Sequence, residues 1–286
     1  MKLKRITVVG CGLIGASFAL ALRRRCDASV RIAGWDSSAF VLDQALQTGI
    51  IDEIDGALPG GRVSASDLIY LAMPVGGIIS FLQERGAQVA RGALVTDAGS
   101  TKELVCAAAL DYLPEGRCFV GGHPVAGSHL HGPTHARADL FDNAPYVLIS
   151  DRKQKDDEAL ATISELVEMI GARAILKTAE EHDRAMALVS HLPQLLSSAL
   201  AATVNGQASA DCLSRLSGTG YRDMTRLAES SWSIWGDIFA TNPLPIADAL
   251  DQLLDKLLAA RDELRRNADW TSTRLVKTRA LFDGPL

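Results

Sequence analysis

The fold turns on residues 5–36, RITVVGCGLIGASFALALRRRCDASVRIAGWD. Residues 5–9 are a short β-branched run that ends in glycines. Residues 13–25 repeat their apolar positions with helical period and finish on Arg23, Arg24 and Arg25, cations suited to the negative end of a helix. Residues 30–35 form a second apolar run that stops at Asp36. Strand, glycine turn, helix and strand make one βαβ unit. Such units build a mostly parallel sheet with helices on both faces.

Gly10, Gly12 and Gly15 within this stretch spell G-x-G-x-x-G, directly after the first strand and opening the helix. The first glycine permits the tight turn, the second lets backbone approach a pyrophosphate, and the third lets helix and strand pack closely. Leu13 and Ile14 begin the helix, whose amides and dipole favour an anion. Asp36 lies 21 residues beyond Gly15, where a carboxylate takes ribose hydroxyls and repels a 2′-phosphate. Ser37 and Ser38 follow, with no arginine to receive such a phosphate. The stretch predicts a nicotinamide-dependent oxidoreductase that takes NAD in preference to NADP.

Working outward, the alternation continues. Residues 38–48 read as a helix closed by Gly49. Residues 68–73 read as a buried strand ending at Met73 and Pro74, which border the cofactor. Residues 94–96 lead to Asp97, and 119–121 lead to His123. Later strand candidates are 146–149 and 174–176. After about Thr178 the pattern changes to long apolar-periodic stretches (182–204, 213–229, 234–241 and 246–266), with Pro243 and Pro245 before the last. The expectation is an α/β protein: a Rossmann-type doubly wound sheet domain over 1–178, then an all-helical C-terminal domain over 179–286. The polar run DRKQKDD (151–157) invites an earlier cut, but 174–176 reads as a last strand.

The 286 residues are 48% hydrophobic and 22% charged, with a net charge of −5, which excludes disorder and low complexity. No long single-sign run appears, so neither nucleic acid nor a polybasic membrane anchor is expected as a partner. Glycines interrupt the N-terminal apolar run too early for a signal peptide, and no run of about 18 apolar residues predicts a membrane span. The five cysteines are scattered with no CxxC pair, as in a reducing cytoplasm.

Three further segments carry chemistry: DAGSTK (97–102), GGHPVAGS (121–128) and SHLPQ (190–194). In an open parallel sheet the ligand crevice lies beyond the carboxyl ends of strands. The first two segments should therefore face the nicotinamide end, and the third should close the cleft from the helical half. Taken in order and spacing, GCGLIGAS, DAGSTK, GGHPVAGS, HDRAMALVSHLP and Met224-Thr225-Arg226-Leu227-Ala228, with Trp235 following, resemble the prephenate/arogenate (cyclohexadienyl) dehydrogenase family of tyrosine biosynthesis over nearly the whole chain.

The resemblance implies an NAD-dependent oxidative decarboxylation of a small cyclohexadienyl substrate. Hydride leaves C4 for the nicotinamide, the 4-hydroxyl proton goes to a base, and the ring carboxylate departs as carbon dioxide. Aromatisation drives the reaction, so no metal is required. His123 is the implied base, since imidazole with an ordinary pKa of about 6.5 is mostly neutral at pH 7. Ser100 would hydrogen-bond His123 and the hydroxyl near the nicotinamide ribose, or cap the next helix as S-x-x-E with Glu103. Arg226 would anchor a carboxylate through its bidentate fork. The other reading of Arg226 is a helix-surface arginine paired with Glu229, and Arg222 competes for the anchor. His191 lines the cleft or locks a kink at Pro193. Gln194 stands where many relatives have a second histidine, and ESSW (229–232) replaces their Ser-Asp-Pro. These segments and Ser128 border the substrate side chain, so prephenate and arogenate both remain open. Lys102 adds positive potential or is a solvated helix-start lysine, and Asp183 is a helix-start charge or an inter-helix partner. The resemblance also implies a homodimer through the helical half.

The histidines at 123, 129, 131 and 135 match no trusted metal-ligand spacing, and the basic run 261–279 reads as a solvated helix face. Three alternatives differ in class. A hydroxyacid dehydrogenase of similar build commonly carries a lysine on the first helix of its second domain, and 182–204 has none. A dehydrogenase of an amino-substituted prephenate fits the same motifs. A dinucleotide-sensing protein without chemistry predicts a damaged set, yet Ser100, His123 and Arg226 are all present.

Overall fold

A computed structural model describes residues 3–25, 30–56, 66–127, 130–150, 157–207 and 209–266. The opening unit forms as the sequence predicts: β1 (Arg5–Val9), α1 (Leu13–Arg25) and β2 (Arg31–Trp35). Helix α2 (Ala39–Gln47) starts at Ser38, whose hydroxyl accepts the Val41 N–H at 3.4 Å. A two-residue strand β3 (Glu53–Ile54) follows, too short to show a period in sequence. Next come β4 (Leu68–Leu71), α3 (Val75–Arg85), β5 (Leu94–Asp97), α4 (Glu103–Tyr112) and β6 (Cys118–Val120).

The six strands form one parallel sheet in the order β3-β2-β1-β4-β5-β6. The order reverses between β1 and β4, which is the switch point where such sheets open a ligand crevice. The strands alternate between two buried cores. Ile6, Val8, Leu68, Tyr70 and Leu94 face one core, while Val9, Ile69, Leu71 and Val95 face the other. That double burial is why these segments read as continuous apolar runs. Phe18 of α1 stacks on Tyr70 at 3.8 Å between ring centres, fixing the helix over the sheet.

The later strands depart from expectation. β7 (Gly122–Pro124), β8 (Pro145–Ile149) and β9 (Arg173–Lys177) form a separate three-stranded sheet, with β7 antiparallel and β9 parallel to β8. Helix α5 (Asp157–Met169) lies between β8 and β9 in sequence. The chain leaves one sheet for the other at Gly121, where a Cβ would stand 2.9 Å from Cys106 Sγ and 3.0 Å from Ile149. His123 therefore sits within a strand, β7.

From Ala179 to Arg266 the described residues hold no strand. They form α6 (Ala179–Met186), a π turn over Ala187–His191, α7 (Leu192–Asn205), α8 (Ala210–Leu216), α9 (Thr219–Thr225), a 3₁₀ turn over Arg226–Glu229, α10 (Trp232–Thr241) and α11 (Pro243–Arg266). The π turn just ahead of Pro193 follows from the missing proline N–H, which removes a helical bond. Pro243 and Pro245 do not separate the last helix; they open it, in the first turn where their missing N–H costs nothing. The run Ala179–Asn205 is long and apolar enough to cross a membrane by length and composition. It nevertheless carries buried His182, Asp183, His191 and Gln194, polar groups that suit a core helix better than a lipid-facing one.

Tertiary packing sorts the chain into two units, Met1–Met186 with Ser230–Thr241, and Ala187–Glu229 with Asn242–Leu286. The cut expected after residue 178 falls one helix earlier than this division. Helix α10 belongs to the sheet-bearing unit, where Asp237 Oδ2 accepts the Gly76 N–H at 2.8 Å in the first turn of α3.

Candidate active site

Backbone stereochemistry shapes the dinucleotide cleft. Gly10 has φ +95°, and a Cβ there would stand 2.5 Å from the Ala72 carbonyl oxygen. A Cβ on Gly15 would collide with the Gly10 carbonyl, whereas one on Gly12 would meet nothing within 4 Å. The first and third glycines thus serve the protein's own packing, and the second faces open space. Asp36 is oriented by two backbone amides: its Oδ2 accepts Cys11 N–H and its Oδ1 accepts Ser38 N–H, each at 2.9 Å. Each oxygen keeps acceptor capacity for a ribose hydroxyl. Burial, then the nearby Asp36 charge, pushes the Cys11 thiol up to about 12.

Two clefts open here, both within the first unit. One, of about 470 Å³, is lined by Gly10, Gly12, Asp36, Met73 and Pro74 among others. The second, of about 290 Å³, is lined by Leu13, Ile14, Ser100 and His131 and shares Gly12, Met73 and Pro74. Every residue expected at the cofactor except Gly15 lines one of them. An unobstructed glycine turn at a helix N-terminus, with a carboxylate at the end of the adjoining strand, fits a dinucleotide.

The loops after β5 and β6 are tied together by a buried ion pair. Asp97 accepts Gly99 N–H at 2.8 Å and Gly122 N–H at 2.9 Å, and it pairs with Lys102 Nζ. Lys102 Nζ also donates to the Gly122 carbonyl at 2.8 Å. Lys102 is fully buried, 0% exposed, so the solvated-lysine reading is corrected: its ammonium fastens DAGSTK to the strand carrying His123. Ser100 does not cap α4, which begins at Glu103. The amides of Lys102 and Glu103 donate instead to Asp183 Oδ1 and Oδ2 at 2.8 and 2.9 Å. A carboxylate from α6 takes the place of the expected capping box.

His123 is 7% exposed. Its Nδ1 lies 2.8 Å from His182 Nε2, and His182 Nδ1 lies 2.7 Å from Asp183 Oδ1. The two rings meet edge-on at 76°. Of the two readings that the sequence offers for Asp183, helix-start charge and inter-helix partner, the second describes its bonds to α4. His182 has no role in the motif pattern, although the His182–Asp183 pair at the head of a helical segment is a usable signal.

In the second unit, Gln194 is buried, and its Nε2 donates to the Leu227 carbonyl at 2.8 Å. Ser197 Oγ accepts Ala228 N–H at 3.0 Å. Both bonds hold the 3₁₀ turn that carries Arg226. Arg226 is exposed and makes no ion pair among the described residues, so the pairing with Glu229 that its alternative reading offers is not seen. His191 is fully buried in the π turn with its Nδ1 3.2 Å from Asn242 Nδ2. Ser128 and His129 lie outside the described residues. Among those described, no group of three His, Cys, Asp or Glu side chains is placed to hold a metal.

Comparisons with known proteins agree across the chain. A family model described as prephenate dehydrogenase, nucleotide-binding domain, matches residues 18–176, and one described as prephenate dehydrogenase, dimerization domain, matches residues 178–278. Prephenate dehydrogenase of Bacillus subtilis is 34% identical over 276 residues, 96% of this chain and 73% of that protein. The crystal structure of A. aeolicus prephenate dehydrogenase with hydroxyphenyl propionate and NAD+ superposes with a TM-score of 0.87 at 27% identity, covering 94% and 93% of the two chains. Synechocystis arogenate dehydrogenase gives a TM-score of 0.76 at 30% identity, covering 93% of each chain.

Proposed function

This chain belongs to the prephenate dehydrogenase family, NAD-dependent dehydrogenases of tyrosine biosynthesis, and we propose that it oxidatively decarboxylates prephenate, arogenate or both, with His123 as the base. The observation that carries the assignment is the placement of His123. A largely buried imidazole stands on the strand that leaves the carboxyl edge of the parallel sheet, tied through Gly122 to the DAGSTK loop that lines the cofactor cleft.

NAD, when bound, accepts the hydride released from C4 of the ring. Gly10, Gly12, Leu13 and Ile14 would hold its pyrophosphate, and Asp36 the adenosine ribose. His123 takes the proton of the 4-hydroxyl as the carbonyl forms. Its burial keeps bulk water from competing for that proton. Ser100 donates to or accepts from the same hydroxyl, and Arg226 grips a substrate carboxylate as a charge-assisted pair. Gln194 acts one step back, holding the turn from which Arg226 projects. Loss of the ring carboxylate completes an aromatic ring, so the chain needs no electron sink beyond the cofactor.

The reading includes a homodimer in the cytoplasm. Leu254, Leu257, Leu258 and Leu264 are exposed along α11 at helical spacing, within the segment matched by the dimerization-domain model.

The test follows NADH absorbance with prephenate and arogenate side by side, each with NAD and NADP. Turnover of at least one substrate with NAD is expected, and inactivity with both refutes the proposal. His123→Asn should cut kcat by roughly 10²–10⁴ with NAD affinity nearly unchanged. Unchanged turnover removes His123 from the mechanism.

A further inference from the structure

Three bonds behind His123 define a direction for its protons. Asp183 Oδ1 and Oδ2 accept the amides of Lys102 and Glu103 at the N-terminus of α4, so both oxygens face donors. A carboxylate can only accept, so the proton between Asp183 and His182 sits on His182 Nδ1, across 2.7 Å. In a neutral His182 that leaves Nε2 as the acceptor. The atom facing it at 2.8 Å is His123 Nδ1, which must then be the N–H.

We propose that His182 and Asp183 are positioning residues that fix the tautomer of His123, keeping its proton on Nδ1 and its lone pair on Nε2. The inference rests on the reading of His123 as the base and says what makes it one. Were the tautomer reversed, Nε2 would carry a hydrogen and could not take the substrate proton. As the substrate O–H bond breaks, a new N–H forms at Nε2 and the ring becomes an imidazolium. Its Nδ1–H points at His182 and, through it, at the Asp183 carboxylate, which stabilises the charge as it develops. The logic is that of a carboxylate orienting a catalytic imidazole, here with a second imidazole interposed. Burial matters: His182 is 2% exposed and Asp183 is fully enclosed, so water does not compete for these bonds.

Nitrogen-15 NMR of full-length protein labelled at histidine tests this directly. The His123 ring is assigned by its loss in His123→Asn. In the wild type we expect a protonated, pyrrole-type Nδ1 and an unprotonated, pyridine-type Nε2. A protonated Nε2 in the neutral ring overturns the proposal, whatever the behaviour of any variant. His182→Leu removes the acceptor and should lower kcat by about 10–10³-fold while NAD affinity stays within about twofold. In His182→Gln the amide oxygen can accept from His123 Nδ1 and its N–H can donate to Asp183, so kcat should recover to within about fivefold of wild type. Wild-type kcat in His182→Leu, or equal losses in both variants, also overturns it. Failure of the base assignment looks different: His123→Asn would then turn over normally even with the wild-type tautomer as expected.

Discussion

Replacing Lys102 with Met removes an ammonium of zero exposure while keeping most of its apolar stem. It leaves Asp97, itself fully buried, with a negative charge in a low-dielectric site. Breaking a buried ion pair from one side costs about 3–5 kcal/mol. Asp97 keeps two backbone donors, Gly99 N–H at 2.8 Å and Gly122 N–H at 2.9 Å, and these place the expected loss near the lower end, about 3 kcal/mol. The Gly122 carbonyl loses its 2.8 Å donor at the same time. For a folding unit of this size that corresponds to a fall in Tm of about 6–12 °C. It also corresponds to a drop of about 1 M or more in the urea midpoint, with the m-value unchanged. Urea titrations followed by tryptophan fluorescence and far-UV circular dichroism measure it. The double variant Asp97→Asn/Lys102→Met should be more stable than Lys102→Met alone, because it removes the stranded charge. A loss below about 1 kcal/mol in Lys102→Met, or a double variant less stable than the single, refutes the argument that this pair fastens the two loops.

Asp36 should make the wild type discriminate against NADP, and Asp36→Ser should narrow the ratio of kcat/KM for NAD over NADP by about tenfold or more; equal use of both by the wild type contradicts the role given to its carboxylate. Arg226→Ala should mainly raise the substrate KM, by about 10–100-fold for a lost charge-assisted pair, and a wild-type KM moves the anchor elsewhere, with Arg222 next to be tried. Because burial and the Asp36 charge hold the Cys11 thiol up at about 12, Cys11 should resist alkylation at pH 8 in the native protein, while the exposed Cys212 reacts; peptide mapping by mass spectrometry that finds Cys11 modified first would show its environment to be wrong.

The first βαβ unit, its glycine turn, the carboxylate at Asp36 and the change to helices after Thr178 could all be read from residues 1–286 alone. Each depends on neighbours in the chain: a period of 2 or 3.6, a glycine whose φ of +95° other residues rarely adopt, an acid at a strand end. Short-range stereochemistry leaves its mark in composition, so these features survive without any knowledge of packing. The resemblance to a known family added His123, Ser100 and Arg226, but not what surrounds them.

Other features depend on residues distant in sequence. His123 meets His182 across 59 positions, and Asp183 reaches the Lys102 amide across 81. Lys102 at a helix start looks like many solvated lysines; its Asp97 partner lies five residues away, but the Gly122 carbonyl that also binds it comes from 20 positions on. The same holds for Ser100, whose apparent S-x-x-E cap was displaced by a carboxylate from α6. It holds too for β7–β9, whose strand patterns carry no mark of which sheet they join. A polar side chain's state is set by which partners arrive to satisfy it once water is excluded. Those partners are chosen by chain packing, which no local pattern encodes.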